Sequence, residues 1–219
     1  CLSASISSCK MDKVNFQKKL EETIEKIEAS GKNYSLMLHS CCGPCSSYVI
    51  EYLSSYFDIT VYYYNPNIYP PEEFDLRAKE QKRFIEEFPA KRKVNFIEGS
   101  YEPEKFLAFA EALKDEPERG KRCHKCYRLR LYETALLAKK MGFDYFTTTL
   151  SISPQKDSQV LNAIGADVAG ECGIKYLFSD FKKKDGYKRS GELSKEYGMY
   201  RQNYCGCEYS LKSRAPENS

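Results

Sequence analysis

The chain contains no tryptophan and only two histidines, His39 and His124, among its 219 residues. A catalytic zinc site built from several histidine ligands is therefore excluded. Long apolar runs are absent too, and the stretch at residues 59–64 is far too short to cross a bilayer. We expect no signal peptide, because a lysine-rich amphipathic stretch follows the N-terminus. These absences predict a protein without a membrane partner, and the clustered cysteines described below favour the reducing cytoplasm as its location.

A strong charge of one sign is also absent. The 34 lysines and arginines are nearly balanced by 31 aspartates and glutamates, which leaves a formal net charge of +3. A balance this close to zero does not indicate nucleic-acid binding, so such a role must come from local clusters. The length predicts one sizeable domain that can bury a real core.

Strand and helix patterns alternate along the chain. The strands are predicted at residues 34–39, 58–64, 93–97, 144–149 and 173–178. The helices are predicted from residue 12 to a stop at Gly31, at 46–56, 72–87, 102–113 and 126–141, and more briefly at 159–164 and 193–197. This alternation predicts an α/β fold with a mostly parallel sheet flanked by helices. We expect a flexible N-terminal segment at residues 1–11 and a single domain over 12–219 with a C-terminal extension.

Polar loops follow the first and the fourth predicted strand, at residues 40–45 and 151–157. The carboxyl ends of parallel strands meet at one edge of the sheet, and ligands gather there. Both loops are therefore expected on one rim of the fold.

Among the residues that bind metals or carry out redox chemistry, cysteine is abundant, with ten in the chain. Disulfide scaffolds are usually small and loop-rich, so clustered cysteines in a long α/β chain favour metal or redox chemistry. Three lie isolated and are treated as structural: Cys1, Cys9 and Cys172. The other seven form three clusters: Cys41, Cys42 and Cys45; Cys123 and Cys126; Cys205 and Cys207.

Each cluster has a spacing with a physical meaning. The first precedes a helix N-terminus, whose dipole favours thiolates. The C-x-x-C pair can reach one metal from a single turn. The C-x-C pair can form a readily reduced disulfide or supply ligands. Zinc and a 4Fe-4S cluster both suit such thiols, so a zinc-stabilised nucleic-acid-binding module and a thiol–disulfide redox protein remain alternatives to an iron–sulfur enzyme.

Six cations surround the second cluster with no acid between them. They are Arg119, Lys121, Arg122, Lys125, Arg128 and Arg130. Such charges lower thiol pKa values and can contact phosphate. The alternative interpretation of these six cations is an ordinary solvated face of a helix.

Five segments between Leu36 and Ser210 together resemble the cobalamin-independent epoxyqueuosine reductases. They are HSCCGPCS, YNPNIYPPEEFDLRAKE, RCHKCYRLRLYETA, FTTTLSISPQKD and YRQNYCGCEYS. The resemblance implies a Rossmann-like fold of the HUP type. It also implies an enzyme that reduces the epoxide of epoxyqueuosine to the cyclopentene of queuosine, at the wobble position of tRNA and as the last step of queuosine biosynthesis.

The resemblance further implies cofactors, partners and site residues. A 4Fe-4S cluster would be held by Cys41, Cys42, Cys123 and Cys126. A redox-active pair would be formed by Cys205 and Cys207. The candidate ligands of an additional mononuclear iron are Cys45, Asp75, Cys205 and Cys207. The partners would be a tRNA anticodon loop and an unidentified electron donor. The candidate tRNA contacts are Arg122, Lys125, Arg128 and Arg130. Tyr127, Lys156 and Asp157 are candidate proton donors by position on the polar rim.

Overall fold

The computed structural model describes residues 13–214, so the predicted flexible segment 1–11 lies outside the described residues. Its strands are β1 (Tyr34–His39), β2 (Phe57–Tyr63), β3 (Asn95–Glu98), β4 (Tyr145–Thr148) and β5 (Lys175–Tyr176). Its α-helices are α1 (Phe16–Ser30), α2 (Gly43–Leu53), α3 (Pro71–Glu87), α4 (Pro103–Ala110), α5 (Lys121–Lys140), α6 (Ser158–Cys172), α7 (Gly186–Glu196) and α8 (Glu208–Lys212). None of these described helices is long and apolar enough to pass through a membrane.

The five strands are parallel and lie in the order β3-β2-β1-β4-β5. Side chains of a strand alternate between the two faces of a sheet. Leu36 and Leu38 of β1 pack with α1 and α2 in one cluster, whereas Met37 packs with α5 and α6 in another. All three are fully buried. Helices therefore cover both faces, which confirms the predicted α/β fold with a Rossmann-like parallel sheet.

The strand order places a topological switch point beside β1. The chain moves from β1 to β2 and β3 on one side, and β4 and β5 lie on the other. His39 and Thr148, the last residues of β1 and β4, are register partners. The loops that follow them therefore leave the sheet at the same edge, as predicted. Ligands of open α/β sheets bind in the crevice at such a point.

Two helices begin earlier than the sequence pattern indicated. Helix α2 begins at Gly43 rather than at residue 46, and α5 begins at Lys121 rather than at residue 126. The apolar periodicity misses both starts because the first turns carry cysteines and cations. Both cysteine motifs consequently lie at helix N-termini.

Helix α7 is also longer than predicted, since it covers Gly186–Glu196 instead of 193–197. Its packing face carries small residues, including Ser190 and Ser194, which are buried without an apolar pattern. A Cβ placed on Gly186 would meet the Tyr48 ring of α2 at 2.5 Å. Close helix contact therefore requires a glycine there. Helix α6 likewise continues to Cys172, β5 is shorter than predicted, and α8 was not predicted.

Candidate metal and redox centre

The first cysteine cluster lies where β1 ends and α2 begins. Cys41 and Cys42 are 6% and 1% exposed, and their sulfurs are 3.9 Å apart. The sulfurs of Cys41, Cys42 and Cys45 all lie within 4.8 Å of one another. Thiolates bound to one tetrahedral metal at about 2.3 Å lie about 3.8 Å apart. The three thiols thus have the spacing of ligands to a single metal ion.

A buried glutamine on α3 holds this loop in shape. The hydroxyls of Ser40 and Ser46 both donate to Gln81 Oε1, at 2.6 and 2.7 Å. The side-chain amide of Asn65 donates to the Ser40 carbonyl at 2.8 Å. The loop is therefore fixed before any metal binds. Sequence reasoning missed Gln81, because a glutamine on a charged helix gives no signal of burial.

The three thiols share their protons unequally. Hydrogen bonds from Cys42 and Cys45 hold the pKa of Cys41 well below its usual value. The same hydrogen bond to Cys41 raises the pKa of Cys42 to about 12, and contacts with Cys41 and Cys42 raise that of Cys45. The three thiols therefore titrate as one coupled group rather than as three independent residues.

The second cluster occupies the first turns of α5. Cys123 packs against the same hydrophobic cluster that contains Cys41 and Cys42, so the C-x-x-C motif lies in the same region of the fold as the first cluster. Cys126 is buried, and burial raises its pKa to about 12. Neither thiol belongs to the compact group at Cys41. In a cubane each thiolate binds a different iron, so its ligands need not lie in mutual contact.

The third cluster lies in the segment that follows α7, residues 197–214, which is the C-terminal extension. Cys207 packs with Cys126 and Phe106, and burial raises its pKa to about 11. Cys205 lines two neighbouring cavities of about 260 and 330 Å³. The smaller is also lined by Cys41, and the larger by Cys123 and Cys207. Cys205 therefore stands between the other two clusters.

Polar contacts hold this extension against the body of the protein. The Gly206 carbonyl accepts from the Tyr69 amide at 2.8 Å, and the Tyr204 hydroxyl donates to the Tyr69 carbonyl at 2.7 Å. The Arg77 guanidinium donates to the Cys205 carbonyl at 3.3 Å. Sequence reasoning missed Arg77, because nothing in a helical sequence reveals a contact 128 residues away.

Lys156, one of the predicted proton donors, lines the smaller cavity with Cys41, Cys45 and Cys205. Burial works to lower its pKa, but the facing Cys205, Tyr127 and Cys41 groups raise it above the usual lysine value. Lys156 therefore presents an ammonium group to the thiols. Asp157 instead caps α6, where its carboxylate accepts from the Gln159 amide at 2.8 Å.

Two of the four predicted tRNA contacts need correction. Arg122 is 5% exposed and donates to the carbonyls of Leu113, Lys114 and Glu116, each at 2.8 Å. Arg130 is 1% exposed. Buried guanidinium groups cannot reach the phosphates of a nucleic acid, so a basic run in the sequence does not form one basic surface. Lys125 and Arg128 lie at the surface, as expected.

Asp75 also needs correction as a candidate ligand. It is exposed on α3 and lies near Tyr101, and it does not join the thiols. Cys45, the other candidate, lies in the compact group. Cys172 lies beside Glu171 and Arg128, as the isolated position suggested. Cys1 and Cys9 lie outside the described residues.

His39 is fully buried below the first cluster and holds the ends of the strands together. Its ring nitrogens contact Thr148 Oγ1 at 2.9 Å and the Tyr64 carbonyl at 3.2 Å. Burial, together with the charge of Arg130, lowers its pKa to about 3. His39 is therefore neutral and joins β1 to both neighbouring strands.

A parallel α/β sheet with seven clustered thiols at its switch point defines a protein built for metal or thiol redox chemistry. The chain belongs to the family described as Epoxyqueuosine reductase QueH, which matches residues 36–213. This membership confirms the prediction of an enzyme.

Curated relatives agree with the family match. The chain is 43% identical to the epoxyqueuosine reductase QueH of Staphylococcus epidermidis over 209 residues, which cover 94% of this chain and 88% of the relative. It is 44% identical to that of Streptococcus pyogenes over 202 residues, which cover 91% and 79%. It is 34% identical to that of Thermotoga maritima over 191 residues, which cover 84% and 94%. The similarity therefore extends through the whole fold.

Proposed function

We propose that this enzyme reduces the epoxide of epoxyqueuosine in tRNA to the cyclopentene of queuosine, the last step of queuosine biosynthesis. Family membership supports the reaction. The observation that carries the proposal is the gathering of three separate cysteine motifs at the switch-point crevice, with Cys205 lining both cavities there. A thiol-lined crevice provides redox groups where a substrate can reach them.

The donor set fits an iron–sulfur centre. Seven thiols face buried or half-buried cations, which compensate the negative charge of metal-bound thiolates. In this proposal Cys41, Cys42, Cys123 and Cys126 hold a 4Fe-4S cluster, for which the Cys41 and Cys42 sulfurs, 3.9 Å apart, would turn toward different irons. Cys45, in the same compact group, is the candidate ligand of an additional iron. When bound, such a cluster supplies electrons one at a time.

The thiol pair of the extension can balance the reaction. Reduction of an epoxide to an alkene consumes two electrons and two protons and releases water. Oxidation of the Cys205 and Cys207 thiols to a disulfide yields two electrons and two protons. In the proposed cycle the carbon–oxygen bonds of the epoxide break, its oxygen leaves as water, and an external reductant returns the disulfide to thiols.

Two side chains are suited to donate a hydrogen bond or a proton to the oxygen of the epoxide. The Lys156 ammonium group lies in the cavity wall and can donate a hydrogen bond or a proton to that oxygen as it becomes negative. Tyr127 is buried beside the thiols, and burial raises its pKa, so its hydroxyl stays protonated. We assign Lys156 the donor role, because it lines the cavity.

The tRNA contacts of the proposal are Lys125 and Arg128, whose charges remain at the surface of α5. The Arg128 guanidinium pairs with both oxygens of Glu171, at 2.7 Å each. An anticodon phosphate would compete with this carboxylate. The loop base that carries the epoxide would then enter the crevice.

The test is anaerobic reconstitution of the full chain with iron and sulfide. We expect broad visible absorption with bound iron and sulfide, and we expect Cys42→Ala and Cys123→Ala to lose it. Cys172→Ala is the matched control, because Cys172 lies away from the centre. A colourless protein with stoichiometric zinc would support the zinc-stabilised binding module instead, and a metal-free protein with a reversible disulfide would support the thiol–disulfide protein.

Measuring turnover of epoxyqueuosine tRNA distinguishes the role of the Cys205 and Cys207 pair from the role of the cluster. Cys205→Ala should keep iron and sulfide but stop multiple turnover, because the two-electron step loses its dithiol. Wild-type turnover in this variant would overturn the role of the pair.

A further inference from the structure

Arg130 is a buried cation without a carboxylate partner in the part of the chain that the structure describes. Its Nε donates to the Cys126 carbonyl at 3.3 Å, and its Nη1 donates to Asn65 Oδ1 at 3.4 Å. Its Nη2 has no hydrogen-bond partner among residues 13–214. No ion pair involves Arg130 in that part of the chain, whose salt bridges all use other residues.

Arg77 provides the contrast within the same fold. It is equally buried, at 1% exposure. Its Nε is 2.7 Å from the carboxylate of Glu73, which lies one turn earlier on α3. The Nη2 atoms of both arginines lack a hydrogen-bond partner among residues 13–214, so the two differ in that only Arg77 has a carboxylate beside it to balance its charge.

This difference has an electrostatic consequence. A guanidinium group cannot give up its proton, so burial cannot neutralise Arg130. A buried charge without a counter-charge is strongly unfavourable, and neutral thiols and amide groups compensate it only weakly. The Tyr127 ring, with its centroid 5.7 Å from the guanidinium carbon, offers a partial cation–π contact. The chain alone thus leaves this charge largely unbalanced.

The groups that face Arg130 indicate what balances it. Burial works to lower its pKa, whereas the thiols of Cys126, Cys205 and Cys41 and the Tyr127 hydroxyl are the groups that raise it, and the Cys126 carbonyl accepts from its Nε at 3.3 Å. These thiols come from all three cysteine clusters. Metal-bound thiolates at these positions would place negative charge around the guanidinium from several sides.

We propose that Arg130 is a positioning residue whose buried charge is balanced only by the anionic metal–thiolate centre, so that the arginine and the centre stabilise each other. This role rests on the proposed function, since it requires the iron–sulfur centre. The metal-free protein then carries an unfavourable buried charge. The positive charge of Arg130 also favours the reduced, more negative form of the centre.

The test compares metal-free and reconstituted full-length chains of the wild type, Arg130→Met, Arg130→Lys and Arg77→Met. Three quantities are measured: the thermal midpoint of each form, iron retention against a chelator, and the midpoint potential from an optical redox titration. Methionine fills much of the arginine volume without a charge. Lysine keeps the charge. Arg77→Met removes a buried cation that has a carboxylate partner and leaves Glu73 with the Tyr200 hydroxyl as a donor at 2.9 Å.

We expect Arg130→Met to unfold at or above the wild-type temperature without metal. With metal, its iron affinity should fall roughly 10- to 100-fold, as for other residues that support metal ligands. Its potential should become more negative, and Arg130→Lys should return the potential toward the wild-type value. Arg77→Met should unfold at a lower temperature in both forms.

The role of Arg130 is overturned if Arg130→Met retains iron and potential as the wild type does. It is equally overturned if Arg130→Met, without metal, unfolds below the wild type to the extent that Arg77→Met does, or does not fold at all. A different result tests the underlying function: a wild-type chain that binds neither iron nor sulfide would overturn the proposed reductase and this role together.

Discussion

Gly206→Ala should detach the thiol pair of the extension without disturbing the cluster ligands. Gly206 has a φ of 125°, a conformation that residues with a side chain rarely adopt. A Cβ there would lie 3.1 Å from both Arg77 Nη1 and Ile68 Cγ1. Backbone strain of this kind costs about 1–3 kcal/mol. At tenfold for every 1.4 kcal/mol, the docked extension loses roughly 5- to 150-fold in population.

The assay is the rate of iodoacetamide alkylation of Cys205 and Cys207, followed by mass spectrometry under anaerobic conditions. We expect faster alkylation of both thiols and slower turnover, with iron content unchanged. Gly170→Ala is the matched control, because a Cβ there meets nothing within 4 Å in the last turn of α6. Alkylation of Gly206→Ala at the wild-type rate would refute the claim that this glycine holds the pair in place.

Two further predictions concern the surface and the anchoring of the extension. Lys125→Ala and Arg128→Ala should each weaken tRNA binding and reduce its salt dependence by about one unit of slope, whereas Lys26→Ala on the opposite face should not. Filter binding at several salt concentrations measures this, and equal slopes in all three variants would remove α5 from the tRNA surface. Glu80 accepts from Arg83 at 2.8 Å and from the Tyr200 amide at 3.0 Å, and the Arg83 contact lowers its pKa. A carboxylate with a lowered pKa stabilises the fold above its ordinary pKa near 4.5 and loses that effect as the pH falls below it. Glu80→Gln should therefore cost about 1 kcal/mol of unfolding free energy at pH 7 and flatten the loss of stability in acid, as measured by urea unfolding. Parallel pH profiles for wild type and variant would contradict this.

The sheet could be predicted because its strands carry local signals. Leu36, Met37 and Leu38 form a continuous apolar run, as expected of a strand buried on both faces. Helix α7 shows the opposite case. Its buried positions include Ser190 and Ser194, so its contact with α2 depends on small size rather than on apolarity. Periodicity analysis cannot detect such a face.

The predicted basic surface failed in part because sequence gives the type of a residue but not its direction on a helix. On α5 the side chains of Arg122 and Arg130 are buried, whereas those of Lys125 and Arg128 are exposed. The interior positions belong to arginines that contact backbone carbonyls or face thiols. The carbonyls and thiols that these arginines contact are not indicated by the local sequence pattern of the helix.

The meeting of the first two cysteine clusters, by contrast, follows from the topology of the fold. In a parallel α/β sheet each helix that leads into the next strand begins at the edge where the preceding strand ended. Cys41 and Cys42 follow β1, and Cys123 lies in the first turn of α5, which leads into β4. Both must lie at the carboxyl edge. Once α5 is known to begin at Lys121, their location at one edge requires no further assumption.

No such rule places Cys205 and Cys207, because they follow the last strand. Their position depends on side-chain contacts such as that of Arg77 with the Cys205 carbonyl. This difference in how the two sets of cysteines are positioned matches their proposed roles. Cluster ligands gain from attachment to the rigid sheet edge, whereas a dithiol that must meet both the substrate and an external reductant is better placed on an extension outside the sheet.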